Sequence, residues 1–469
     1  MSLKGNTTLR FIASLSLLAL LAFTAPLPAQ PPEQKWVVSW IGSVHGPYPS
    51  GNPSAQPDMK LAFPSAETGA RDQSFRMIVK PEIWGKEARL RLSNALGTRP
   101  VTFDGIYVGM QFGSSAVVSG TSRPVTFSGK RSVTIAPGAA LWSDPVALAF
   151  VRNPASTELW GRKLAVSFHV AGESGPMTWH AKALQTSYLT LPGAGSRGHD
   201  ESESAFPVST TAWYFIDALD MKVPASAYAI VAFGDSITDG TNSSLNGDDR
   251  WPDVLARRLR AVLGNRVSVV NAGIGGNQVV GPKDYSPQKP YPGGPSAGAR
   301  LERDVLSLSG VSTVIWLEGI NDFSRNGNAT VEAVQAGMKD GVERIRARMP
   351  GVRVIGATLT PALGATNAAH GFAEQDEKRK ALNEFIRASG VFDGVADFDN
   401  ATRDPATGAL KPEFVHNTTT GGDGDKLHPN RLGYIAMGMA IDLNLMRPLA
   451  ADYNAKARAS ASGEPGGRP

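Results

Sequence analysis

The sequence predicts an α/β fold: a parallel, doubly wound sheet in the second half of the chain, preceded by an all-β domain. Three observations carry this. From about residue 35 to 222, apolar and polar residues alternate with period two. In EARLRLSN, Ala88, Leu90 and Leu92 interleave with Arg89, Arg91 and Ser93; in LAVSFHV, Leu164, Val166, Phe168 and Val170 interleave with small or polar residues. Such alternation, punctuated by Gly and Pro, belongs to antiparallel strands with one wet face, as in a β-sandwich or jelly roll. After Pro224 the apolar runs become continuous (AYAIVAF, RVSVV, STVIWL, VRVIGA, GVADF), as in strands buried on both faces. Amphipathic helices separate these runs: in WPDVLARRLRAVLG, Leu255, Leu259 and Leu263 recur every fourth residue, and Pro252 sits in the first turn where proline is tolerated.

Taken in order, residues 1–29 read as a cleavable export signal. Lys4 and Arg10 supply positive charge, FIASLSLLALLAFTA the apolar core, and LPA before Gln30 a small-residue cleavage site. The apolar run is shorter than the ~20 residues of a spanning helix, which favours cleavage over a retained anchor. The sequence has no cysteine, so disulfides, thiolate catalysis, Cys-ligated metal and a lipid-modified N-terminal cysteine are all excluded. A secreted or periplasmic protein without stable membrane insertion is therefore expected. The net charge of +5 is dispersed without a basic block, so no nucleic-acid partner is expected. Three domain segments follow: a β-sandwich at 35–222, an α/β domain at 226–450, and an Ala, Ser, Gly and Pro-rich tail at 451–469.

In a parallel α/β sheet, ligands bind beyond the carboxyl ends of the strands. Four polar motifs fall there. Gly234-Asp235-Ser236-Ile237 ends the first apolar strand and can expose a serine hydroxyl on a tight turn. It is not the G-x-S-x-G elbow, so an α/β-hydrolase fold is not implied. Asn271-Ala-Gly273-Ile-Gly275-Gly276-Asn277 follows the second strand, where glycine lets a backbone N–H approach a ligand. Gly319-Ile320-Asn321-Asp322 follows STVIWLE and offers an amide to a developing oxyanion, or equally an Asx-turn. Asp425-Lys-Leu-His428-Pro429-Asn430 precedes the last helix, and an Asp three residues before a His can hold the imidazole through Nδ1, leaving Nε2 to take a proton from a serine.

Other features compete. Glu413 precedes His416 by the same interval, but within the polar run VHNTTTGGDG. His169 alternates with core residues and is expected on the wet face, while His180 in TWHAKALQ is either a satisfied structural histidine or a contribution of the β-domain to the cleft. Gly193-Ala-Gly195-Ser-Arg-Gly198 matches G-x-G-x-x-G, but HDESESAF follows instead of a helix, so it reads as a loop. The loop 279–300 is rich in Pro and Gly and is expected to border the cleft, with Tyr285 and Tyr291 available to stack on a ring.

Together the four motifs resemble the SGNH/GDSL hydrolases over roughly residues 227–447. The resemblance implies a flavodoxin-like, three-layer domain with a five-stranded parallel sheet. It also implies Ser236 as nucleophile, His428 as base and Asp425 as its partner. Ser236, Gly276 and Asn321 then serve as oxyanion donors, with no cofactor and no metal. The whole chain is similar to two-domain exported esterases of the acetyl-xylan-esterase type, through TWHAKALQTSYL, RWPDVLARRL, NAGIGGN, LEGIND and DKLHPN. What this implies is removal of short acyl groups, foremost O-acetyl, from an acylated carbohydrate. The alternatives are a general arylesterase or short-chain lipase, and a carbohydrate-binding protein with a vestigial hydrolase domain.

Overall fold

Period-two patterning builds two large antiparallel sheets from the first half of the chain, beside a small one of Gly46–Pro47, Thr178–His180 and Trp213–Tyr214. One joins Gln34–Ile41, Ile216–Pro224 and Glu87–Ser93, with the short strands Ala140–Trp142 and Val146–Ala147 on the last of these. The other has eight strands around Arg71–Val79, Leu164–Glu173 and Val101–Gly113. The core of this half is aromatic: Phe75 stacks on Phe168 with centroids 5.3 Å apart, and Phe215 meets Phe75 edge-on at 5.8 Å. The structure is a computed structural model, and it describes residues 33–418 and 423–447. The export signal expected at 1–29 and the tail expected at 451–469 lie outside the described residues. Among those residues, no helix is long and apolar enough to cross a membrane.

The wet face expected of these strands is largely covered. Arg91 is 6% exposed; its guanidinium donates to Asp217 at 2.6 Å and to Ser307 Oγ at 3.1 Å. Arg89 donates to Asp220 at 2.8 Å and Ser309 Oγ at 3.1 Å. Residues 307 and 309 belong to the α/β half, so the polar side of Glu87–Ser93 forms a seam against it. His169 is likewise buried, held between Asp104 at 2.7 Å and Asp72 at 2.9 Å. Alternation reports two chemically different faces, and a polar face can be satisfied by partners as well as by water.

The strands of the parallel sheet are β1 (Tyr228–Gly234), β2 (Val267–Gly273), β3 (Val311–Leu317), β4 (Arg353–Ala357) and β5 (Gly394–Ala396). They lie in the order β2-β1-β3-β4-β5, all neighbours parallel. β5 is shorter than GVADF suggested, because the Asp397 side chain accepts from the Asn400 N–H and starts a helix there.

The helices are α1 (Ser236–Asp239), α2 (Trp251–Leu263), α3 (Ala297–Leu301), α4 (Val331–Arg348), α5 (Ala373–Ala388), α6 (Phe398–Thr402) and α7 (Arg431–Ala440). Along β1, Ala229, Val231 and Phe233 enter one core with Val334, Met338 and Leu382 of α4 and α5. Ile230 and Ala232 enter another with Trp251, Leu255, Tyr434 and Met437 of α2 and α7. Both faces of the sheet are thus filled, which is why its strands read as unbroken apolar runs; each buried Val or Ile contributes roughly 1.5–3 kcal/mol. The strand order reverses at β1, opening a crevice at the carboxyl ends of β1, β2 and β3.

Candidate active site

The turn after β1 is built to present Ser236. The Asp235 side chain accepts from the Ile237 N–H at 2.9 Å and caps α1, so Ser236 becomes the first helical residue. α1 lasts one turn and ends at Gly240, whose φ of 103° closes it. Tyr434 of α7 donates its hydroxyl to the Thr241 carbonyl at 2.6 Å, tying the turn to the last helix. Gly273 at the end of β2 makes room for it: a Cβ there would lie 2.1 Å from the Asp239 nitrogen.

The loop before α7 meets this turn. The Ser236 hydroxyl donates to His428 Nε2 at 2.7 Å, and the ring donates through Nδ1–H to Asp425 Oδ2 at 2.5 Å. Asp425 is fixed in turn, its Oδ1 accepting from the backbone N–H groups of Leu427 at 3.0 Å and His428 at 2.9 Å. Burial acts to raise the Asp425 carboxyl, but the hydrogen bond and charge of His428 and these two N–H donors outweigh it, leaving its pKa well below the ordinary carboxylate range. A serine bonded to an imidazole that is held by an ionised carboxylate can act as a nucleophile. The rival pair is elsewhere: Glu413 and His416 are both exposed.

Gly276 and Asn321 flank the serine. Gly276 has φ +87°, a conformation that favours glycine. Asn321 donates one amide proton to the Asn277 carbonyl at 3.0 Å, which orients the amide and leaves its second proton for the cleft. Asn277 is itself anchored, its Nδ2 donating to the Gly293 and Pro295 carbonyls at 2.6 and 2.7 Å. Beneath them lies Arg300, fully buried. It donates to Asn277 Oδ1 at 2.7 Å, to the Ala272 and Gly234 carbonyls at 2.8 Å each, and pairs with Asp304 at 3.0 Å. One side chain thus ties together the ends of β1 and β2.

Ser236, Gly276, Asn321 and His428 open onto a cleft of about 270 Å³, with Asp425 behind the histidine. The rest of its lining is mostly polar: Asn52, Lys182, Tyr291, Ser324, Asn326, Asn367 and His370, beside Pro292, Ala369 and Leu427. Larger hollows near Trp160, about 440 Å³, and Trp142, about 430 Å³, contain neither a serine–histidine pair nor a glycine loop among their lining residues. Of the two tyrosines expected at the cleft, Tyr291 lines it, whereas Tyr285 turns away and donates its hydroxyl to the His45 carbonyl at 2.9 Å. His180 does not line it. Its ring bridges the Ser43 carbonyl at 2.8 Å and Asp239 at 3.1 Å.

Sequence reasoning missed Asn52, Lys182 and His370. The first two come from the β half, far away in the chain, and no local spacing marks them. His370 carried a weak signal, a histidine in a polar loop beyond β4. Gln375 fixes its protonation: the Gln375 oxygen accepts from the Gly371 N–H at 2.8 Å, so its nitrogen donates to His370 Nδ1 at 2.8 Å. The neutral ring then carries its proton on Nε2. Burial, with His428 nearby, pushes the His370 pKa from 6.5 down to about 4. Between those values the unfolded chain binds a proton that the folded chain refuses, so stability falls as the pH falls through that window. Denaturant titrations across it are expected to show a shallower slope for His370→Gln than for wild type; equal slopes would contradict the assignment.

Residues 232–436 match the GDSL-like lipase/acylhydrolase family. Among solved structures, a carbohydrate acetylesterase family member from Sinorhizobium meliloti is 18% identical, with a TM-score of 0.34, covering 45% of this chain and 94% of its own. An aryl esterase from M. smegmatis is 17% identical, with a TM-score of 0.35, covering 49% of this chain and 99% of its own. No curated protein matches the chain.

Proposed function

We propose that the chain, whose residues 232–436 match the GDSL-like lipase/acylhydrolase family, is an exported serine esterase removing short acyl groups, foremost acetyl, from carbohydrate. The reading rests on one observation above the others: the hydrogen-bonded run from Asp425 through His428 to Ser236, opening into a polar cleft. In this account the flavodoxin-like domain carries the chemistry, and the β-sandwich, placed at 35–222, is its accessory. Export rests on the signal read at residues 1–29.

Ser236 Oγ attacks the ester carbonyl carbon as its proton passes to His428 Nε2. The Ser236 and Gly276 backbone N–H groups and the Asn321 amide donate to the tetrahedral oxyanion. Collapse breaks the bond to the leaving alcohol, which takes the proton from Nε2. Water then repeats the sequence on the acyl-enzyme, releasing the carboxylic acid and restoring Ser236. Asn, Lys, Tyr and His side chains around the serine suit a hydroxylated leaving group better than a long alkyl chain.

Asn321→Ala is expected to lower kcat by roughly 10²–10³-fold with little change in KM, since its free proton bonds most strongly to the developing charge. Steady-state kinetics on p-nitrophenyl acetate checks this, and an unchanged kcat would remove Asn321 from the oxyanion site. The substrate is tested by acetate release from acetylated xylan beside hydrolysis of p-nitrophenyl esters of rising chain length. Acetate release absent in Ser236→Ala supports a polysaccharide deacetylase. Turnover of aryl esters alone would instead favour an arylesterase or short-chain lipase, and no turnover at all a binding protein.

A further inference from the structure

We infer that Asn52, a residue of the β half, is a positioning residue for the oxyanion site: it sets the direction of the Gly276 N–H. The inference rests on the esterase reading above and extends it to a side chain 184 residues before the proposed nucleophile in the sequence.

The argument turns on one peptide unit. The carbonyl of Gly275 and the N–H of Gly276 belong to the same planar trans group, so they point in opposite directions and rotate together. Asn52 donates its Nδ2–H to the Gly275 carbonyl at 2.9 Å. Holding that oxygen towards Asn52 turns the Gly276 N–H the other way. The Asn277 N–H closes the turn by donating to the Ile274 carbonyl at 3.1 Å, but that bond leaves the middle peptide able to flip, since glycines at 275 and 276 allow wide rotation. The fit is close on both sides: a Cβ on Gly276 would lie 2.8 Å from Asn52 Nδ2 and 3.4 Å from the Gly293 Cα.

A second link from the β half holds the other end of Gly275. Its N–H donates to Asp239 Oδ2 at 2.9 Å, and Asp239 Oδ1 is met by His180 Nε2 at 3.1 Å. Both ring nitrogens of His180 face acceptors, Asp239 and the Ser43 carbonyl, an arrangement that favours the doubly protonated, charged ring. Burial opposes that charge, yet the Asp239 carboxylate more than offsets it and the His180 pKa is raised. Gly275 is therefore pinned at its N–H through His180 and Asp239, and at its carbonyl by Asn52. The β half does more than wall the cleft; it aims one of the donors.

Asn52 is exposed, so its replacement leaves the core intact. Asn52→Ala is expected to lower kcat on p-nitrophenyl acetate by about tenfold or more, less than outright loss of a donor, with KM within about twofold. Inhibition by phenylboronic acid, which forms a tetrahedral adduct on the serine, should weaken by a similar factor while Tm stays unchanged. Asn52→Asp, which cannot donate and sets a negative charge against the Gly275 carbonyl, should fall at least as far. The same loss is expected for small and saccharide esters. Wild-type kcat and boronic acid inhibition in both variants would overturn the inference. So would a loss that appears in KM and grows with the leaving group, since Asn52 would then be contacting substrate. Ser236→Ala in the same assay separates the two failures: activity retained there defeats the esterase site itself, whereas an inactive Ser236→Ala beside wild-type-like Asn52 variants defeats only the role of Asn52.

Discussion

Ser236→Ala is expected to lower kcat by on the order of 10⁶-fold, the scale on which removing a serine nucleophile or its histidine disables such sites. The fold should hardly notice. Among the described residues Ser236 Oγ bonds His428 Nε2, a nitrogen that opens onto the cleft, so removing the hydroxyl leaves no buried orphan. Asp235 still caps α1 through the Ile237 N–H, and Arg300 still joins the ends of β1 and β2. Steady-state rates paired with a denaturation curve check both halves of the expectation. A variant that kept turnover would place the chemistry elsewhere, and one that failed to fold would mean the turn depends on a hydroxyl bond that the structure does not contain.

The second large effect is expected from Asp425→Asn, about 10⁴-fold in kcat. The physical reason lies in which end of the new amide faces the ring. Asp425 Oδ1 accepts from the Leu427 and His428 N–H groups, and only an oxygen can stay there. The amide nitrogen must then occupy the place of Oδ2, 2.5 Å from His428 Nδ1 in the wild type, and it donates where the carboxylate accepted. A neutral His428 answers by putting its proton on Nε2, the tautomer that cannot take one from Ser236. The geometry survives and the acid–base function does not. A crystal structure of the variant with unmoved side chains, beside a kcat near wild type, would contradict this account of Asp425.

Most of the parallel sheet was legible because its signal is local. A strand buried on both faces must be apolar throughout, and a helix against it must repeat every three to four residues; both patterns sit in consecutive sequence. The places of Ser236, Gly276 and Asn321 just beyond strand ends were legible for a related reason, since the apolar pattern locates those ends. The place of His428 beside the last helix favours it over His416, and the structure sets it against Ser236.

What failed to show were contacts between distant segments. Arg89, Arg91 and His169 read as a wet face because the residues that satisfy them, Asp217, Asp220, Ser307, Ser309, Asp72 and Asp104, lie on other strands or in the other half. Asn52 and Lys182 reach the cleft for the same reason, and no period or spacing connects them to Ser236. The loop position of Tyr285 points to the cleft, but the direction of a side chain follows from what its hydroxyl can find, here the His45 carbonyl.

The central claim is that Ser236 is the nucleophile. The most direct measurement treats the enzyme with a fluorophosphonate and maps the adduct by mass spectrometry of its peptides. The account predicts one modified residue, Ser236, with activity lost in proportion to labelling. An adduct on a different serine, or full activity persisting after Ser236 is labelled, would contradict it.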